Sequence, residues 1–177
     1  MKYVVASDIH GSSYYLRLLL DFYKKEGAQK LILLGDLLYH GARNALPKEY
    51  DTIACTALYN RVKDDVVCVR GNCDSEVDQM VLSFPIGAEF CILDLDGKHV
   101  YCTHGHKIPE NLQKDDVLLC GHFHVPAFEQ RENYFYVNCG SVSIPKENSP
   151  HACMVVEGRK CKWIDLETGV PFRVEKL

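Results

Sequence analysis

The sequence predicts an α/β fold in which two sheets pack face to face with helices outside. Two observations carry that expectation. Up to Pro85, short apolar runs alternate with capped, amphipathic stretches, as in successive β-α units. Beyond Pro85, strand-like runs follow one another, and several are separated by turn pairs: Asp96-Gly97, Glu132-Asn133, Glu157-Gly158 and Thr168-Gly169. The chain has 177 residues, with no repeats, low-complexity tracts or obvious linker, and is expected to form one domain spanning 1–177.

Residues 2–7 (KYVVAS) read as a buried strand. Ser12 or Ser13 offers an N-cap for a helix reaching about Glu26, with Gly27 as its stop. Arg17, Asp21, Lys24 and Lys25 form one polar stripe on that helix, and its other faces are rich in Leu and Tyr. LILL at 31–34 is a second buried strand, so this β-α-β opening predicts a parallel pair joined by a right-handed crossover. The stretch 37–50, containing Gly41 and Pro47, exceeds an ordinary connection in length and is a candidate functional loop. Asp51 can cap a helix over 51–63, with Ile53, Ala57, Leu58 and Val62 expected on its buried side. Strand 66–69 (VVCV) follows, then RGNCDSE and one or two helical turns through Met80. The later strands are expected at 89–95, 98–103, 116–120, 127–131, 134–138, 152–157, 160–164 and 171–175.

Composition narrows the class of function. The formal net charge is −4 with no basic block, so no dedicated nucleic-acid groove is signalled. No apolar run approaches the roughly 18 residues that span a bilayer, and the N-terminus turns polar too soon for a signal peptide. A cytoplasmic protein is expected. The nine cysteines are odd in number, irregularly spaced and without a C-x-x-C pair; most sit inside apolar runs, where a thiol acts as a small buried hydrophobe. Reduced core cysteines are expected, with Cys73 set apart.

Five pieces of ligand-type sequence follow apolar runs or their loop exits: Asp8-Ile9-His10, Gly35-Asp36, Gly71-Asn72, His104-Gly105-His106 and Gly121-His122-Phe123-His124. Singly, each has an ordinary reading. A strand-end Asp is commonly a turn or cap residue, an isolated H-x-H a hydrogen-bonded pair, and Gly-Asn a turn. Turn chemistry alone does not readily produce all five together. In an extended segment, residues two apart point to one side, so Asp8 and His10 can share one ion, and His122 and His124 repeat that geometry. Asp36 offers two carboxylate oxygens, one for each of two metals, and Asn72 with His104 would complete the second ion. Two divalent cations carry four positive charges, of which Asp8 and Asp36 offset two; the surplus would attract and polarise a phosphate. Two ions about 3.5–4 Å apart would also convert a bridging water to hydroxide at neutral pH, ready to attack phosphorus in line.

In this order, D-x-H, GD, GN, HGH and GHxH resemble the calcineurin-like metallophosphoesterases over essentially the whole chain. More closely, GDLLYHGARNALP (35–47), VRGNCDSEVDQM (69–80), FPI (84–86), THGH (103–106), PENL (109–112), GHFHVP (121–126) and NCGSVSIPK (138–146) resemble the YfcE-type bacterial phosphodiesterases. The resemblance implies a four-layer α/β/β/α sandwich of two packed mixed sheets, with a binuclear metal site at strand C-terminal ends. It implies that Asp8, His10, Asp36 and His124 hold one ion, and that Asp36, Asn72, His104 and His122 hold the other, with Asp36 bridging. It further implies a homo-oligomer and Mn²⁺ as the metal, although the donor set equally suits Fe²⁺, Co²⁺, Ni²⁺ or Zn²⁺.

One position departs from the wider family. Many relatives have a His after Gly-Asn that is thought to protonate the leaving group; here Cys73 stands there. A thiol is a poorer donor than imidazolium at neutral pH, and Cys73 reads equally as a small filler. His106 has no metal assigned by the resemblance, and substrate hydrogen bonding, support of a ligand and a structural role all stay open. Beyond Asp36, the loop residues His40, Arg43 and Asn44 are candidates for substrate binding, Arg43 as a clamp on a phosphate oxygen. Ser141 and Ser143 read as loop formers, there being no G-x-S-x-G context. The expected function is metal-dependent hydrolysis of a small phosphodiester, with Asp36, Asn72, Cys73 and His106 as catalytic candidates. The alternatives are a phosphomonoesterase on the same site, or a non-catalytic protein-binding scaffold like the retromer subunit of similar fold.

Overall fold

The computed structural model describes residues 1–177. Its layering follows from the first strand, β1 (Lys2–Ala6). Val4 and Ala6 enter one apolar core, while Tyr3 and Val5 enter another. Successive strand residues point to opposite faces, so a strand buried on both sides lies between two layers. On one side are helices α1 (Ser13–Glu26), α2 (Thr52–Asn60) and the segment after α3 (Glu76–Val81), which contributes Leu82, Phe84 and Ile86. On the other is the second sheet.

The first sheet also contains β2 (Lys30–Leu33), β3 (Val66–Cys68), β9 (Ala152–Glu157), β10 (Lys160–Asp165) and β11 (Val170–Lys176), in the order β11-β10-β9-β1-β2-β3. β1, β2 and β3 run parallel, with Val5 opposite Ile32 and Ile32 opposite Val67; β9 returns antiparallel beside β1. The second sheet has the order β4-β5-β6-β8-β7, formed by β4 (Phe90–Leu95), β5 (Lys98–Thr103), β6 (Asp116–Cys120), β7 (Ala127–Gln130) and β8 (Tyr134–Asn138). β5, β6 and β8 are parallel, with antiparallel strands at both edges. Between the sheets lie Val5, Ile32, Leu119, Val137, Met154 and Trp163 among others. The buried Trp163 indole donates its N–H to the Asn138 carbonyl at 2.7 Å, so the ring enters the core without an unpaired donor.

Both predicted mixed sheets are therefore present and packed. The outermost layer over the second sheet is loop rather than helix: Leu112, from the stretch between β5 and β6, covers Leu118, Cys120 and Tyr136. That stretch contains Gly105 and Pro109, which interrupt any helical run. Ser12 caps α1 by accepting the Tyr15 N–H, Gly27 closes it in the left-handed conformation, and the predicted polar stripe is exposed. α2 corrects the expected face. Cys55 and Tyr59 are buried, Leu58 and Val62 pack at the margin, and Ile53 and Ala57 face outward. The entry to the helix sets this rotation, since Asp51 donates its N–H to Gly11 O and Ser12 bridges Tyr50. All nine cysteines are free thiols, seven of them buried, and Cys73 and Cys91 are half-buried. No helix is long and apolar enough to cross a membrane.

Parallel strands bring their carboxyl ends to one edge of each sheet. Asp8, Asp36 and Asn72 follow β1, β2 and β3, while His104 and His122 follow β5 and β6. The two edges face each other, and the candidate site lies between them.

Candidate metal centre

The ligand loops do not use extended geometry. Asp8, His10, Asp36, His122 and His124 all have positive φ, between 48° and 66°. Each non-glycine residue in this region costs on the order of 1 kcal/mol or more, so five together mark a backbone held for its side chains. Left-handed turns rather than strand alternation bring His10 to Asp8, and in H-x-H they send His122 toward His104 and His124 toward Asp8. Three glycines allow the loops to meet. A side chain on Gly35 would collide with the Gly71 backbone, one on Gly71 with Asp36, and one on Gly121 with Ser7 and Asp8.

The predicted ligands converge in two overlapping groups. His124 Nε2 lies 3.1 Å and His10 Nε2 3.5 Å from Asp8 Oδ1. Asp36 Oδ2 lies 3.7 Å from His10 Nε2 and 3.4 Å from His104 Nε2, so it faces both groups. His104 Nε2 is 3.0 Å from Asn72 Oδ1 and 3.2 Å from His122 Nδ1. Asp36 Oδ1 instead accepts the Cys73 N–H at 2.8 Å. Oδ2 of Asp36 thus faces both groups while Oδ1 is held by the loop backbone.

Hydrogen bonding fixes which ring nitrogen faces the centre. His10, His104 and His124 donate Nδ1–H to the carbonyls of Tyr39 (2.8 Å), Leu34 (2.7 Å) and Ile144 (2.6 Å). In the neutral ring each Nε2 then carries a lone pair aimed at carboxylate or amide oxygens. Lone pairs opposing lone pairs at these distances repel unless a cation sits among them. Consistent with this, buried Asp8 Oδ1 and His10 Nε2 have no properly directed hydrogen bond despite their close neighbours. The residues fit two divalent ions.

Without an ion, protons partly take that role. Burial works against charge on His104, but the Asp36 contact and the Asp8 charge outweigh it and raise its pKa to about 9. His10 is also raised: burial is outweighed by Asp8. Asp8 is buried too, yet its contacts with His10 and His124 hold the carboxyl well below the usual range. Asp36 is lowered, burial being outweighed by His104. His122 and His106 move the other way, through burial and the neighbouring His104 charge, and stay neutral at pH 7.

Several positioning groups were not singled out in the sequence. Buried Asp74 receives the N–H groups of Asp36 (2.9 Å), Leu37 (2.8 Å) and Gly71 (2.7 Å), locking two ligand loops together. Asn138, at the end of β8, donates to Gly121 O at 2.7 Å and steadies the loop of His122 and His124. The expected loop formers Ser141 and Ser143 both donate to the Asp8 carbonyl, at 2.9 and 3.1 Å. The only cue for Asp74 was an acid two places after Asn72; Asn138 was indistinguishable from any strand-end amide.

The centre opens into a cleft of about 950 Å³ whose walls include Tyr39, Arg43, Asn44, Arg70, Cys73 and Lys146. Arg43 and Asn44 stand where the sequence placed them. His40 does not: it packs edge-on against Tyr39 and Tyr50, and its carbonyl accepts from Asn44 Nδ2 at 2.8 Å. Flanking aromatic rings hold it out of the cleft wall. His106 is exposed, lies edge-on to His104, and lines a smaller polar cleft with Arg70, Asn72 and Lys107.

A two-sheet sandwich with this donor set at the strand ends belongs to the metallophosphoesterase class. The calcineurin-like phosphoesterase superfamily domain matches residues 1–160, and the chain belongs to that superfamily. It is thus an enzyme of the phosphoesterase class. It is 49% identical over 154 residues to "Phosphodiesterase YfcE" of Escherichia coli strain K12, covering 85% of this chain and 84% of that protein. The solved structure of the E. coli phosphoesterase Yfce superposes with a TM-score of 0.94 at 41% identity, covering 99% of each chain. Vps29 of Entamoeba histolytica shares the fold, with a TM-score of 0.62 at 16% identity over 100% of this chain and 98% of that one.

Proposed function

We propose that this chain is a metal-dependent phosphodiesterase acting on a small diester. The observation that carries the reading is the single oxygen Asp36 Oδ2 placed between His10 Nε2 and His104 Nε2, with both imidazoles oriented by carbonyls behind them. Asp8, His10, Asp36 and His124 would hold one ion, and Asp36, Asn72, His104 and His122 the other. Mn²⁺ is the proposed metal, and Fe²⁺, Co²⁺, Ni²⁺ and Zn²⁺ fit the same donors. When bound, such a pair supplies a bridging hydroxide nucleophile at neutral pH and stabilises charge building on the phosphoryl oxygens. The chain itself orients that chemistry through Asp74, Asn138 and the three anchored imidazoles, and Arg43 stands on the wall of the same cleft.

Proton delivery to the leaving alcohol is where this chain is weak. In the metal-free chain, burial and the Asp36 charge push the Cys73 thiol, beside Asn72, up to about 12, and even an unperturbed thiol is a poorer proton donor than imidazolium at pH 7. A useful general acid has a pKa near the working pH. Diesters with good leaving groups are therefore the proposed substrates. The test is hydrolysis of bis(p-nitrophenyl) phosphate by protein reconstituted with each metal, alongside Asp36→Asn and His122→Ala. Loss of activity in both variants supports the enzyme. No metal uptake, or no hydrolysis beyond a background that is the same in both variants, would instead favour the scaffold reading.

A further inference from the structure

The metal cleft holds more positive charge than a simple diester requires. Resting on the binuclear diesterase reading, two divalent ions, the carboxylates of Asp8 and Asp36, one hydroxide and one diester phosphate already sum to zero. Yet Arg43, Arg70 and Lys146 also line the same cleft. None of the three has a carboxylate within salt-bridge distance, whereas Arg17, Lys107, Arg131 and Arg173 are each paired with a glutamate. Glu76 and buried Asp74, which also line the cleft, return two negative charges, so one of the three positive charges is left uncompensated.

Their placement is tied to the ligand loops. Arg70 immediately precedes Gly71-Asn72, and its Nε donates to the Asp74 carbonyl at 3.3 Å. Lys146 donates its backbone N–H to the carbonyl of His124 at 3.1 Å. Arg43 sits in a turn closed by Asn44 N–H to Gly41 O at 3.1 Å, in the loop that follows Asp36. The smaller cleft lined by His106 shares Arg70 and Asn72 with the first, and its own Lys107 is neutralised by Glu89. Arg70 lines both clefts and stands at their fork.

We infer that Arg43, Arg70 and Lys146 form a subsite for a second anionic group, and that the substrate is a phosphodiester carrying a further phosphate or carboxylate on one ester arm. A planar guanidinium can take two oxygens of such a group, while Lys146 adds a mobile point charge.

The wild-type chain tests this directly, using p-nitrophenyl phosphodiesters that differ only in the second alcohol. The three arms are propanol, 3-hydroxypropionate and propane-1,3-diol monophosphate. The expected order of kcat/KM is neutral, then carboxylate, then phosphate, with about tenfold or more between the extremes at low salt. Propane-1,3-diol bisphosphate should also inhibit more strongly than propyl phosphate by a similar factor. In the double variant Arg43→Gln, Lys146→Gln the phosphate-to-neutral ratio should fall to about two or less. That ratio is insensitive to a general loss of active protein. Equal kcat/KM across the three arms, with hydrolysis intact, overturns the subsite and leaves the diesterase standing. Absence of hydrolysis of every diester with every metal overturns the diesterase reading itself.

Discussion

Oδ2 of Asp74 accepts the backbone N–H of Asp36 at 2.9 Å. The same oxygen takes the Gly71 N–H at 2.7 Å, so one buried carboxylate joins the loops after β2 and β3, which carry the shared ligand and its neighbour Asn72. Asp74→Asn turns one acceptor into a donor facing N–H groups. Apparent metal affinity should fall about 10- to 100-fold, as is usual when support behind a ligand is lost. Unfolding free energy in urea should fall by about 1–3 kcal/mol, the cost of stranding buried donors. Unchanged metal titration curves would count against a positioning role for Asp74.

Asp36 faces both halves of the centre through one oxygen, so its loss should differ in kind from loss of a ligand at the margin. Asp36→Asn should lower kcat/KM by more than the roughly 100-fold expected of a supporting residue, and bound metal should drop below two ions per chain. His122 is half-buried and lacks a carbonyl anchor on Nδ1, which faces His104 instead. His122→Ala should therefore weaken one ion selectively, leaving the first near full occupancy. Elemental analysis after dialysis distinguishes the two patterns.

Cys73 gives a prediction about substrates rather than metals. Restoring imidazole with Cys73→His should raise turnover on esters with poor leaving groups by about 10²- to 10⁴-fold, the usual contribution of a positioned acid. Turnover on p-nitrophenyl esters should change far less, because that leaving group scarcely needs a proton. A leaving-group series should therefore show a steep dependence in the wild-type chain that flattens in the variant. Parallel dependences would remove any role for this position in proton transfer.

How much of this was legible beforehand divides along physical lines. The strands, the caps at Ser12 and Asp51, the stop at Gly27 and the seven ligand candidates were readable, because local patterning and side-chain chemistry set them. The face of α2 was not, since its rotation depends on contacts of Asp51 and Tyr50 with Gly11 and Ser12. The left-handed turns at Asp8, His10, His122 and His124 were also hidden. Sequence spacing records that two side chains are near each other, but not whether a strand or a turn brings them together. The place of His40 in the loop suggests the cleft, and spacing alone does not show that it packs edge-on against Tyr39 and Tyr50. Arg70 and Lys146 emerged only once the loops were assembled around the centre.

Protonation of the metal-free centre gives a final prediction with a definite sign. His104 rises from an ordinary 6.5 to about 9, so at pH 7 a metal must displace its proton. Apparent affinity should climb with pH by about tenfold per unit for each proton displaced, then level near pH 9. Stability of the metal-free chain runs the opposite way. A group whose folded pKa is raised contributes fully below its unfolded value, here 6.5, and its contribution is lost as pH passes through about 9. The metal-free melting temperature should therefore fall between pH 6.5 and 9, while that of the metal-loaded protein holds or rises. Calorimetric titration in two buffers of different ionisation enthalpy would count the protons released at pH 7. Zero release would mean that the imidazoles are already neutral and that something other than protons separates the opposed lone pairs of Asp8, His10 and His104.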